Sequence, residues 1–79
     1  MFLEIITPEK KVYEGEITSV QLPGSEGSFQ ILNNHSPIVS TLKKGSVIIV
    51  DKDNSKQEIE LLGGVVEVNA NKIIVLAEA

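Results

Sequence analysis

His35 is the only histidine of the chain and stands in Asn33-Asn34-His35-Ser36-Pro37, where an imidazole beside a hydroxyl raises the question of general-base chemistry. Catalysis of that kind needs a nucleophile and an orienting carboxylate in fixed geometry, and adjacency to Ser36 supplies neither. One imidazole and no cysteine also cannot build a zinc-type cluster. A loop or interface histidine is the better reading. Asn34-His35-Ser36 matches a glycosylation sequon, which carries little weight with Pro37 following and no secretory signal ahead of it. Gly24-Ser25-Glu26-Gly27 has the look of a phosphate loop but lacks the Lys-Ser/Thr pair, and no helix start follows to receive an anion. It reads as a glycine turn with an acidic tip joining two strands. Asp51-x-Asp53-x-Ser55 begins like a calcium loop, yet Lys56 stands where the sharp-turn glycine belongs and Leu62 where the bidentate glutamate belongs.

Lys52 is the remaining candidate. It sits at an expected hairpin tip in a small acidic all-β chain, which resembles the lipoyl and biotinyl carrier modules whose target lysine projects from such a tip. Those tips resemble Asp-Lys-Ala or Met-Lys-Met, whereas Asp53-Asn54 follow here, so a solvated turn lysine is the competing explanation. No residue is assigned a catalytic, metal-binding or cofactor-binding role.

The elements that must position these residues are strands. Ten Ile and nine Val stand against seven Leu and three Ala, and β-branched side chains suit a pleated sheet better than a helix. Short apolar-alternating runs cover Phe2–Thr7, Val12–Glu16, Ile17–Leu22, Ser28–Leu32, Ile38–Leu42, Ser46–Val50, Gln57–Leu62, Val65–Asn69 and Lys72–Ala77. These roughly nine runs predict an all-β sandwich or flattened barrel. Pro8 withholds a ladder donor, Gly15 and Gly45 are expected to mark boundaries by permitting positive φ, and Asp51-Lys52-Asp53-Asn54 supplies turn-forming side chains. Ser55–Leu62 has some helical character, but its Gln57/Ile59/Leu61 alternation ahead of Gly63-Gly64 favours a strand.

Composition narrows function by exclusion. With 79 residues the chain is one small domain, and 42% apolar with 23% charged residues is ordinary for a folded protein. Seven basic against 11 acidic residues, with only three aromatics, leave no footprint for a phosphate backbone and no stacking platform for bases. The absence of cysteine suits a reducing compartment, and the longest apolar runs, Val47–Val50 and Ile73–Ala77, are far too short to span a bilayer. A cytoplasmic protein without membrane insertion is expected. A core of this size yields a net stability on the order of 3–5 kcal/mol, so docking to a partner would help it.

Taken together, Leu22-Pro23-Gly24-Ser25-Glu26-Gly27-Ser28-Phe29, Ile31-Leu32-Asn33-Asn34-His35-Ser36-Pro37, Leu42-Lys43-Lys44-Gly45 and Gly63-Gly64-Val65-Val66-Glu67-Val68 resemble the N-terminal domain of the epsilon subunits of bacterial F-type ATP synthases. The opening Leu3-Glu4-Ile5-Ile6-Thr7-Pro8 and the closing Val75-Leu76-Ala77-Glu78-Ala79 fit the same pattern, so the resemblance covers residues 1–79 as one domain. Gln30, Asn33 and Ser36 depart from it, standing where Gly, Pro and Ala are frequent.

The resemblance implies a flattened sandwich of about ten strands and a mechanical task. Such a domain is a non-catalytic rotor subunit of the central stalk that links the gamma subunit to the c-ring and couples proton or sodium flow to ATP synthesis. It works peripherally on the cytoplasmic face of the bacterial inner membrane, without cofactor or small-molecule substrate. By the same resemblance Thr7, His35, Pro37 and Ser40 face gamma, with Asn34 and Ile38 added by adjacency, and the turn Gly24, Ser25, Glu26, Gly27 and Ser28 meets the c-ring. The family commonly continues into two C-terminal α-helices, whereas this chain stops at Ala79. Met1 leading directly into domain sequence favours a natural short form over a longer protein with its helices cut away. Inhibition and ATP binding by such helices are accordingly not expected of these residues.

Overall fold

The computed structural model describes residues 1–34 and 36–78. Among them eight strands form in chain order: β1 Phe2–Ile6, β2 Lys11–Gly24, β3 Gly27–Leu32, β4 Ile38–Leu42, β5 Gly45–Asp51, β6 Lys56–Leu61, β7 Gly63–Asn69 and β8 Lys72–Glu78. The all-β sandwich expectation holds, and Ser55–Leu62 resolves to a strand. The count is lower than nine or ten because the runs at 12–16 and 17–22 are one strand of 14 residues. Gly15 therefore marks no break. It lies within β2 beside the Tyr13 ring, where a Cβ would meet the Tyr13 hydroxyl at 3.4 Å, an ordinary contact. Gly45 likewise opens β5 without a left-handed backbone.

Strand β2 bends the molecule into two layers. Its first half pairs with β1, and its second half pairs with both β3 and β5, with the register shifting between Ile17 and Ser19. A bulge there absorbs twist and lets one strand serve both layers. One layer then runs β2–β1–β8–β7–β4 and the other β6–β5–β2–β3. Strands β1 and β8, the first and last, lie parallel, while the other pairings are antiparallel.

Alternation along each strand fills the space between the layers. Leu3, Ile5, Val66, Val68, Ile73 and Val75 come from one side and Val20, Leu22, Ile31, Val47 and Ile49 from the other, all within one buried cluster. Each fully buried aliphatic side chain contributes about 1.5–3 kcal/mol relative to exposure, most of it offset by ordering the chain. Edge strand β6, Lys56-Gln57-Glu58-Ile59-Glu60-Leu61, carries charges that discourage edge-to-edge pairing.

Candidate functional site

The turn expected to meet the c-ring is a hairpin tip. Gly24 and Gly27 pair across β2 and β3, leaving Ser25 and Glu26 as the two loop residues. Close approach demands glycine at 24, where a Cβ would lie 2.5 Å from the Gly27 carbonyl oxygen and 2.8 Å from the Phe29 ring. Gly27 takes φ +133°, a backbone region that a side chain would strain. The tip is also tied to β4. The Ser25 amide donates to the Thr41 carbonyl at 3.0 Å, the Thr41 hydroxyl donates to Ser25 Oγ at 2.8 Å, and the Lys43 amide donates to the Pro23 carbonyl at 2.8 Å. Ser25, Glu26, Gly27 and Ser28 remain exposed, so the turn offers a carboxylate on a fixed mount.

The residues expected to face gamma do not form one cluster. Asn34 and Pro37 are exposed just before β4, and Asn34 holds a left-handed φ of 65°. His35 lies outside the described residues. Thr7 is buried at the far end of β1, where its hydroxyl donates to the Lys10 carbonyl at 3.0 Å and accepts from the Lys10 amide at 3.2 Å. The side chain of Thr7 thus closes its own turn around Pro8. Ile38 and Ser40 alternate with Val39 and Thr41 along β4, and Ile38 packs on the core. Ser40 is half-buried on the same inward side, its hydroxyl donating to the Thr41 carbonyl at 3.3 Å. Asn34 and Pro37 precede β4 and the Gly24–Ser28 turn adjoins its far end, about 13 Å away at strand rise, while Ile38 and Ser40 lie on the strand between them.

A feature that the sequence reading missed lies between them. On the outer face of β1–β8–β7–β4, Val39 is 72% exposed, Leu76 57% and Val65 37%, with Ile6 and Ile74 half-buried beside them. Cross-strand register aligns Ile6 with Leu76 and Leu76 with Val65 in one row, and Ile74 with Glu67 and Glu67 with Val39 in the next. The signal was present in Val65-Val66-Glu67-Val68, where period-two alternation places Val65 on the face of Glu67.

Surface recognition suits this chain better than a pocket. Two depressions on this layer are open to solvent and of about 290 Å³, at the lower end of the range of small-molecule sites. Among the described residues no three His, Cys, Asp or Glu side chains converge as a metal site, and no helix is long and apolar enough to cross a membrane. Asp51 instead uses Oδ1 to accept from the Asp53 amide at 2.8 Å and the Ser55 amide at 3.0 Å, bracing the β5–β6 tip that presents Lys52.

Comparison with known proteins agrees along the full length. The family model described as ATP synthase, Delta/Epsilon chain, beta-sandwich domain matches residues 1–79. The ATP synthase epsilon chain of Chlorobium limicola is 43% identical over 76 residues, which are 96% of this chain and 86% of that protein. That of Sulfurimonas denitrificans is 45% identical over 76 residues, and there the chain spans 58% of its relative. Among solved structures, a chain of the Euglena gracilis mitochondrial ATP synthase (OSCP/F1/c-ring) superposes with TM-score 0.91 at 16% identity over 98% of this chain and 49% of its own. A chain of the Tetrahymena thermophila mitochondrial ATP synthase central stalk and c-ring superposes with TM-score 0.81 at 22% identity, covering 100% and 63%. At those identities the structural likeness is one of fold. The carrier-module alternative at Lys52 finds no support, because the whole chain is matched by a different family; Lys52 is a turn lysine. The chain belongs to the family of β-sandwich domains of ATP synthase delta and epsilon chains.

Proposed function

We propose that the chain acts as a non-catalytic central-stalk subunit of an F-type ATP synthase, holding gamma to the c-ring so that the two turn together and ion flow is coupled to ATP synthesis. Membership of the epsilon-chain family over residues 1–79 carries this reading. The whole chain serves as one β-sandwich unit, peripheral to the cytoplasmic face of the bacterial inner membrane. Its Gly24–Ser28 turn meets polar loops of the ring, and Thr7, Asn34, His35, Pro37, Ile38 and Ser40 belong to the gamma side, with buried Thr7 and half-buried Ile38 and Ser40 supporting the surface from beneath. A carboxylate such as Glu26 on a rigid hairpin is suited to charge-assisted bonds with Arg or backbone donors in a wet, rim-like contact.

The test is reconstitution. Membranes of the source organism from which this chain has been removed are expected to hydrolyse ATP without pumping ions efficiently, and the purified chain should restore pumping and co-purify with gamma. A chain that neither restores pumping nor binds gamma would overturn the assignment.

A further inference from the structure

We infer that the open edge of β3 pairs with itself: two copies of this chain join β3 to β3, antiparallel, about a two-fold axis at Gln30. The pairing is a property of the free chain and does not depend on the central-stalk reading.

The β2–β3 hairpin leaves that edge open. Gly24 and Gly27 close a two-residue loop, so the hydrogen-bonded pairs of the ladder are Gly24 with Gly27, Leu22 with Phe29 and Val20 with Ile31. The amides and carbonyls of Ser28, Gln30 and Leu32 therefore point away from β2. Strand β3 pairs with no other strand, and among the described residues no main-chain hydrogen bond reaches those outward groups. The other edge of the same layer is β6, where Lys56, Glu58 and Glu60 oppose an incoming strand. Gly27-Ser28-Phe29-Gln30-Ile31-Leu32 carries no charge and no proline, and its ladder to β2 has no register shift. An edge of that kind is a template for another strand.

The strand that fits it is its own copy. With Gln30 on the axis, Gln30 faces Gln30 of the second copy and Ser28 faces Leu32, so all three outward residues exchange both main-chain bonds. The Gln30 side chain is exposed, and an amide that holds both donors and an acceptor is complementary to its twin across the ladder. Gln30 is also one of the positions at which this chain departs from the family pattern, standing where Gly is frequent, and Gly would bring no side chain to the axis. On the opposite face, half-buried Phe29 comes against Ile31 of the second copy, which carries the apolar cluster across the joint. Like charges do not meet within the paired strands. Each whole chain carries a net charge of −4, however, and the joint is one strand wide, so the association belongs to the small, transient class and strengthens as salt screens the repulsion.

Sedimentation equilibrium of the full chain from about 10 μM to about 1 mM covers that weak range. The chain is expected to pass from monomer to dimer, more completely at high salt, while the amides of Ser28, Gln30 and Leu32 gain protection from hydrogen exchange as concentration rises. Gln30→Lys and Gln30→Glu each set like charges on the axis and should each weaken association by about tenfold or more. An equimolar mixture of the two should recover it, because Lys then faces Glu. Gln57→Lys makes the same change on exposed β6 and should alter association by less than about twofold. Circular dichroism checks that the variants keep the wild-type strand spectrum, which the exposure of both positions favours; should one lose it, the concentration-dependent protection of the three wild-type amides decides alone. A chain that stays monomeric throughout, a dimer that Gln30→Lys leaves intact, or a mixture that recovers nothing would overturn the inference. A dimer abolished by Val39→Asp but not by Gln30→Lys would place association on the outer face of β1–β8–β7–β4 and overturn it equally.

Discussion

Glu4 and Glu14 stand directly opposite each other across the β1–β2 ladder, and Lys11 joins them, its Nζ 2.9 Å from Glu4 Oε2 and 3.3 Å from Glu14 Oε1. Two like charges at facing positions destabilise a sheet pair unless a cation intervenes. The hydrogen bond from Lys11 holds the Glu4 carboxyl below the usual carboxylate range, against partial desolvation, and the hydrogen bonds to Glu4 and then Glu14 raise the ammonium of Lys11.

A lowered carboxylate pKa contributes stability that is complete above the unfolded value and disappears as pH falls through the folded one. A raised ammonium contributes below its unfolded pKa and ceases to do so as pH rises through the folded value. Lys11→Met should therefore lower the thermal midpoint modestly at pH 7, and the gap from wild type should narrow as pH falls through the lowered Glu4 value. Melting curves across that range check it; a gap unchanged at low pH would mean that the loss of packing, not of charge, is what counts.

The β7–β8 hairpin stores strain in its tip. Asn69 and Lys72 pair, and the two residues between them, Ala70 and Asn71, hold φ of 47° and 67°. Both in the left-handed region make a primed turn suited to hairpin twist, where Asn is tolerated and Ala is not favoured. Ala70→Gly should stabilise the domain by about 0.5–1 kcal/mol, since relief of the left-handed cost outweighs the added entropy of the unfolded chain. Equilibrium urea unfolding measures this directly.

Gly24→Ala should do the opposite at the other hairpin. Its Cβ meets a backbone oxygen and an aromatic ring at 2.5 and 2.8 Å, and the tip is pinned to β4, so it cannot simply open. A loss of about 1–3 kcal/mol is expected, typical of overpacking. Gly27→Ala, with open space around it but φ of +133°, tests backbone strain alone at the same turn.

Glu26→Lys leaves the fold unaltered, because the side chain is exposed and the turn is built by Gly24, Ser25 and Gly27. In reconstituted membranes it should weaken the coupling of ATP turnover to ion pumping, more so as salt is varied. Pumping equal to wild type would remove Glu26 from the ring contact.

Much of this molecule follows from local sequence. Strands such as β6 and β8 could be read from alternation and β-branched content, because period-two burial is a property of the segment itself. The motifs around Gly24, Asn34 and Gly63 sufficed for the family. What required the tertiary structure was everything set by register and by contacts between distant residues. Gly15 has the local look of a break, yet it pairs with Leu3 inside the continuous strand β2. The parallel pairing of β1 with β8, Glu4 facing Glu14, and the row of Ile6, Leu76 and Val65 join residues far apart in the chain. Ile38 and Val39 are both aliphatic neighbours, yet one packs on the core and the other is 72% exposed. Their chemistry does not separate them; a shift of one residue in the β4–β7 pairing would exchange their faces, and only the assembled sheet decides that register.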